Sequence, residues 1–132
     1  MAGANWVNDI WGFKAYPALA SVVAEWQVPV VLMHNRLSTE AAAVEEKLGG
    51  RYIGVDYDDL IRDIRNELLE LVHIAHEHGI PDERIILDPG IGFGKTVAQN
   101  LELIDRLNEI KDLGYPLLAG PSRKSFIGYS LN

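Results

Sequence analysis

The stretch "RIILDPGIGFGKT", residues 84–96, decides how this chain is read. An apolar run ends in Asp88; then come Pro89, glycines at 90, 92 and 94, and Lys95-Thr96. Two phosphate-binding loops use similar letters. A Walker loop requires G-x-x-x-x-G-K-[ST], which would put its first glycine at position 89. Pro89 has no N–H and a fixed φ, so it cannot take that part. The dinucleotide fingerprint G-x-G-x-x-G fails because position 95 is lysine. The glycines instead let a loop turn tightly and approach a ligand, with Phe93 projecting from it. Asp88, at the end of the apolar run, becomes the leading polar candidate, and Lys95 is expected to matter much less.

Working outward, three other apolar segments resemble "RIILD": "NWVNDI" (5–10), "VPVVLMH" (28–34) and "YPLLAG" (115–120). They are dense in Val, Ile and Leu without clean alternation, the pattern of strands buried on both faces of a parallel sheet. Helical patterns separate them. "PALASVVAEW" (17–26) opens with proline, as a first helical turn allows. Residues 56–79 place Leu60, Ile64, Leu68, Leu71 and Ala75 on one stripe, from an acidic start to Gly79. Residues 96–114 repeat the design with Val97, Leu101, Ile104 and Leu107, ending at Gly114. "STEAAAVEEKLG" reads as a short helix inside a long connection, and "SFIGYSLN" as the opening of a further helix. Strict alternation predicts a parallel α/β sheet with right-handed crossovers, in a single domain over 1–132.

In such sheets ligands bind at the carboxyl ends of the strands. Those ends carry Asn8-Asp9, Met33-His34-Asn35, Asp88-Pro89-Gly90 and Ser122-Arg123-Lys124-Ser125. Four polar endings on one rim point to a polar pocket; the competing reading is that they cap turns and helix starts. A carboxylate at Asp88 can accept two parallel hydrogen bonds from a guanidine-type N–H/NH2 pair. The Asn8 amide offers a donor and an acceptor, and Lys124 could donate to a ring carbonyl or nitrogen. Together they describe a site for a flat, nitrogen-rich ring. The alternative is an Asp–Lys pair that only holds strands in register.

Other features carry less. His73, His76 and His78 lack H-E-x-x-H spacing and read as a solvated helix end. His34 could serve as acid or base, or be a satisfied polar residue under a loop. Trp6, Trp11 and Trp26 read as packing residues, with Trp11 near enough to the rim to line it. No G-x-S-x-G elbow is present, so acyl-enzyme chemistry has no support.

The 132 residues are 48% hydrophobic and 23% charged. Those proportions are ordinary for a globular chain and leave disorder without support. A net charge of -7 argues against a nucleic-acid surface and against an anionic membrane. With no cysteine, neither disulfides nor thiolate metal sites are possible. No signal peptide is visible, and no apolar run nears the roughly 20 residues of a membrane span, so a cytoplasmic location is expected.

"NDIWGF", "VVLMHNR", "LDPGIGFGKT" and "LLAGPSRKSFIG" together resemble, in order, the successive signatures of the dihydropteroate synthase family. The pairing of "DPGIGFGK" with a downstream "SRKSFIG" is the specific part. Pterin-binding domains of cobalamin-dependent methyltransferases share the Asn-Asp and Asp strand ends but are not expected to carry the Ser-Arg-Lys-Ser motif. The resemblance implies a TIM-barrel (β/α)8 fold that joins 6-hydroxymethyl-7,8-dihydropterin diphosphate to 4-aminobenzoate and releases pyrophosphate. It implies pterin-binding roles for Asn8, Asp88 and Lys124, with Ile10, Met33 and Gly120 in the same pocket. Phe93, Arg123 and Ser125 fall near the aminobenzoate, whose carboxylate would meet Ser125. The implied catalytic pair is Asp88 and Lys124, acting electrostatically on a dissociative displacement with no protein nucleophile.

A full barrel takes roughly 250 residues. The four strands expected here match the family's fourth to seventh, about half a barrel. The resemblance implies that Mg2+ ligands, aminobenzoate-covering loops and the diphosphate grip lie outside this chain. Two open edges then predict association of two copies as a homodimer, or a complementing barrel segment. A pterin-binding module without turnover, a methyl-transfer relative and a flavodoxin-like interaction domain are the competing readings.

Overall fold

The computed structural model describes residues 3–37 and 55–131. Three short strands, β1 (Val7–Asp9), β2 (Val30–Met33) and β3 (Ile85–Asp88), form one parallel sheet in the order β1-β2-β3. Register runs Asn8 opposite Val31 and Val31 opposite Ile86, with Met33 opposite Asp88. Helices α1 (Ala18–Trp26) and α2 (Leu60–Glu77) follow β1 and β2. After β3 come α3 (Val97–Asp105), α4 (Leu107–Lys111) and α5 (Ser125–Leu131). The short helix expected within 38–49 lies outside the described residues.

Alternation along each strand divides the sheet into two faces. Val30, Leu32, Ile85 and Leu87 belong to the main core, with Ile61, Ile64, Leu68, Leu71 and Ala75 of α2. The expected α2 stripe is thus buried throughout. Its start is fixed by Asp59, whose carboxylate accepts Arg62 N–H at 3.0 Å, the usual way an N-cap satisfies a free helix donor. The opposite sheet face carries Asn8 on β1, Val31 and Met33 on β2, and Ile86 and Asp88 on β3.

Two expectations are corrected. The fourth strand, expected over 115–120, contributes one parallel bridge, Leu87 with Leu117. Leu87 N–H donates to Pro116 O at 2.9 Å and Leu118 N–H to Leu87 O at 2.8 Å. Pro116 has no N–H to extend pairing backward, and Gly120-Pro121 turns the chain away ahead. Three hydrogen-bonded strands are therefore present among the described residues, in place of the expected four. The helix expected over 96–114 is divided at Arg106, whose φ of -106° leaves the helical range. Its buried face is Asn100, Leu103 and Ile110, whereas Leu101 is exposed.

Two of the three tryptophans depart from expectation as well, Trp11 being half-buried. Trp6 and Trp26 are 60% and 59% exposed. They flank an apolar groove of about 230 Å3 shared with Val22, Val23 and Val28. Among the described residues no helix is long and apolar enough to cross a membrane.

Candidate functional site

Asp88 is the last residue of β3 and is buried. Its Oδ1 accepts Gly90 N–H at 2.8 Å. That bond makes an Asx-type turn, which starts the glycine loop. Burial raises the Asp88 pKa, opposed by that N–H and by the charges of Lys124 and Lys95. Lys124, half-buried, has its pKa lowered by burial, with Asp88 opposing. Both partners are thus drawn toward neutrality by desolvation, although each favours the other's charge. Such a pair gains if a ligand supplies hydrogen bonds that burial has removed.

The glycines bring loop 89–95 close to its surroundings. Gly90 has φ +73°, and a Cβ there would lie 2.0 Å from His34 O. No other residue type fits that backbone. Gly92 lies beneath Lys124, whose Cδ would be 2.9 Å from an added Cβ. This seats Lys124 Nζ 4.2 Å from the centroid of the Phe93 ring, a cation–π contact. Phe93 is half-buried.

Asp88, Lys124 and Phe93 are therefore brought together. Asn8 shares the sheet face of Asp88 and Met33, on the far side of β2, and is exposed. Met33 is buried directly opposite Asp88 in the register, and Ile10 is exposed just past β1. Gly120, Arg123 and Ser125 lie in and after the segment following the Leu117 bridge, all exposed. Arg123 adopts a left-handed φ of +60°, next to Lys124.

Several rim residues instead follow the capping reading. Asp9 accepts Trp11 N–H at 3.0 Å and Phe13 N–H at 2.6 Å, closing the turn after β1. Asn35 donates to Ile10 O at 3.2 Å and accepts Leu37 N–H at 3.0 Å. Thr96 and Gln99 form a reciprocal capping box at the start of α3. The Lys-Thr pair therefore ends in a helix cap.

Lys95, expected to matter much less than Asp88, is the most deeply buried charged side chain among the described residues. It is fully buried, with Nζ 3.0 Å from both Gly90 O and Phe93 O and 3.1 Å from His34 Nδ1. Burial draws its pKa down to about 7, with Asp88 and Glu67 opposing and Arg36 adding to the fall. His34 is the satisfied polar residue, its Nε2 2.8 Å from Glu67 Oε2. Burial lowers its pKa to about 4. Glu67, despite its own desolvation, is brought down to about 2 by hydrogen bonds from His34 and Arg36. Arg36 reaches Glu67 and Asp63 and lies 4.1 Å over the Tyr57 ring.

The histidines of α2 stay at its solvated end, where His73 pairs with Glu77 and His76 with Asp82. Among the described residues no group of three or more His, Asp or Glu side chains could share a metal ion. The described side chains thus form no multi-ligand magnesium site.

All 132 residues match the model of the family described as pterin binding enzyme. The chain is 52% identical to dihydropteroate synthase of Clostridium beijerinckii over 131 residues, 99% of this chain and 43% of that protein. It is 46% identical to the Bacillus subtilis dihydropteroate synthase, again over 131 residues, 99% of this chain and 40% of that protein. The chain thus spans less than half the length of these curated relatives. Among solved structures, the Clostridium difficile dihydropteroate synthase determined in the presence of pteroic acid superposes with a TM-score of 0.82 at 40% identity, covering 98% of this chain and 43% of that one. The Xanthomonas albilineans enzyme with 4-aminobenzoic acid gives 0.83 at 36%, covering 98% and 44%. A glycine loop closed on a buried aspartate, a lysine folded over it and a match along the whole chain agree: this chain belongs to the pterin-binding enzyme family, among relatives that are dihydropteroate synthases.

Proposed function

We propose that this chain forms the pterin-binding part of a dihydropteroate synthase, as about half of a (β/α)8 barrel. The observation that carries this reading is the cluster of Asp88, Lys124 and Phe93 at one strand end, on the sheet face shared with Met33 and Asn8. The Asp88 carboxylate accepts an N–H/NH2 pair of the pterin ring, and Lys124 donates to its carbonyl or ring nitrogen. Asn8 reads a further ring edge, while Ile10, Met33 and Gly120 bound the pocket. Phe93, Arg123 and Ser125 face the 4-aminobenzoate.

The reaction proposed at that arrangement is the dissociative displacement that the family resemblance implies. The C–O bond to diphosphate breaks first, and the leaving diphosphate takes the bonding pair. The resulting pterin-methylene cation is held beside Asp88, whose negative charge favours it. The amine nitrogen of 4-aminobenzoate then supplies its lone pair to the methylene carbon, and its proton passes to solvent. No side chain is needed as a nucleophile.

The relatives' greater length favours a second reading, a pterin-binding module that turns over only when the rest of the barrel is present. A cytoplasmic location, a magnesium requirement met by residues beyond those described, and a homodimer or complementing segment complete the proposal. Calorimetry with 6-hydroxymethyl-7,8-dihydropterin diphosphate tests binding, and the expected result is a saturable one-site isotherm. Diphosphate release that depends on 4-aminobenzoate distinguishes the synthase from the module. Absence of pterin binding overturns both.

A further inference from the structure

Lys95 is fully buried, and the hydrogen bonds of its Nζ go to protein atoms of the loop and of His34. Its three acceptors, Gly90 O, Phe93 O and His34 Nδ1, lie at 3.0, 3.0 and 3.1 Å. Three acceptors call for three N–H groups, which an ammonium has and a neutral amine has not. The His34 ring supports that count. Glu67 is ionised, and its Oε2 lies 2.8 Å from His34 Nε2. Nε2 therefore carries the ring proton, and Nδ1 is left to accept. Burial opposes the ammonium, since it draws the Lys95 pKa to about 7, and the three acceptors together with Asp88 and Glu67 favour it.

The two loop carbonyls belong to residues with defined tasks. Gly90 carries the N–H that orients Asp88 Oδ1, and Phe93 carries the ring that faces Lys124 Nζ. His34, the third acceptor, is fixed from the other side. Its backbone N–H donates to Asp88 O at 2.8 Å, and its ring is held through Glu67 and Arg36 to α2. Asn100 adds a brace on the loop, accepting Gly92 N–H at 2.7 Å and donating to Lys95 O at 3.2 Å.

We infer that Lys95 is a positioning residue for ligand binding: as a buried ammonium it ties Gly90 and Phe93 to His34 and so presets both the Asp88 carboxylate and the Phe93 ring. The inference deepens the proposed pterin reading and rests on it. Lys95 touches no ligand and acts through the loop.

The test compares wild type with Lys95→Met and Lys95→Gln. Met fills the volume without a donor, and Gln retains an amide that can bond part of the acceptor set. Titrating 6-hydroxymethylpterin should show Kd raised by about tenfold or more in Lys95→Met, given the size of hydrogen bonds to charged groups. Lys95→Gln should fall between the two, a graded recovery that a loss of stability alone does not produce. Equal affinities in wild type and Lys95→Met overturn the inference, as do equal losses in Met and Gln. Wild type that binds no pterin overturns the functional reading instead. Should Lys95→Met fail to fold, 15N NMR of the wild-type His34 ring decides. A bare Nδ1 with a protonated Nε2 supports the inference, and a protonated Nδ1 overturns it.

Discussion

Lys124 Nζ stands 4.2 Å from the centroid of the Phe93 ring, and Asp88 is the carboxylate that opposes the fall in its pKa. One lysine thus joins the strand-end carboxylate to the loop aromatic, across the junction expected between the pterin and aminobenzoate halves of the site. Phe93→Leu removes the ring but keeps an apolar side chain. Weakening of 4-aminobenzoate binding by about three- to thirtyfold is expected from the scale of cation–π contacts. Pterin affinity should change much less. Calorimetry with each ligand separates the two, and a larger loss for pterin would contradict the assignment of Phe93.

Asp88→Ala is expected to abolish measurable pterin binding. Two hydrogen bonds to a carboxylate are worth about 1.5–3 kcal/mol each. The fold should persist, because the carboxylate's one described hydrogen bond is local, to Gly90. Circular dichroism beside the titration checks both halves, and unchanged affinity removes the central residue of the proposal.

Gly90→Ala addresses the loop itself. A methyl at φ +73° and 2.0 Å from His34 O must displace backbone rather than a flexible side chain. Destabilisation of about 2 kcal/mol or more is expected from the combined steric and backbone cost. Chemical denaturation gives the value directly. A change under half that size would mean the loop shifts freely, and then it could not preset a ligand site.

Acid sensitivity should come from the His34–Glu67 pair. The pKa of His34 is about 4 in the fold against an ordinary 6.5, and that of Glu67 is about 2 against 4.5. For both groups the unfolded chain binds its proton first as pH falls, so stability is lost on acidification. The His34 part is lost between about pH 6.5 and 4, and the Glu67 part between about 4.5 and 2. His34→Gln should flatten the upper part of the profile and also weaken the lower, since the His34 hydrogen bond is one of the two that hold the Glu67 pKa down. Lys95, Lys14, Glu67 and Arg36 bear on the same cluster, so urea midpoints are compared at fixed ionic strength. Loss of stability on raising the pH from 4 to 7 would contradict the assigned direction.

The parts of the fold visible in the sequence are those governed by neighbours along the chain. Apolar runs ending at Asp9, Met33 and Asp88 mark strand ends because a buried strand must finish where its polar groups can be met. The α2 stripe from Leu60 to Ala75 follows from helical spacing alone. Lys95 is illegible in the sequence because its burial depends on His34, 61 residues away, and on a loop shape that no local pattern encodes. The break at Arg106 is hidden for a similar reason. Arginine is an ordinary helix former. Here Arg106 bonds Glu102 and Glu109 on both sides of the break, and the buried face runs through Asn100, Leu103 and Ile110, leaving Leu101 exposed. Trp6 and Trp26 read as packing residues by type, yet their environment is decided by what stands beside β1 and α1.

Among the described residues, β1 pairs with β2 alone, so the outer rank of N–H and C=O groups along Val7–Asp9 meets no neighbouring strand, the kind of edge that invites pairing with another chain. Handling of the purified protein should reflect this. Shelf life will be governed by how crowded the solution is more than by how warm it is, and dilute stocks should outlast concentrated ones at the same temperature.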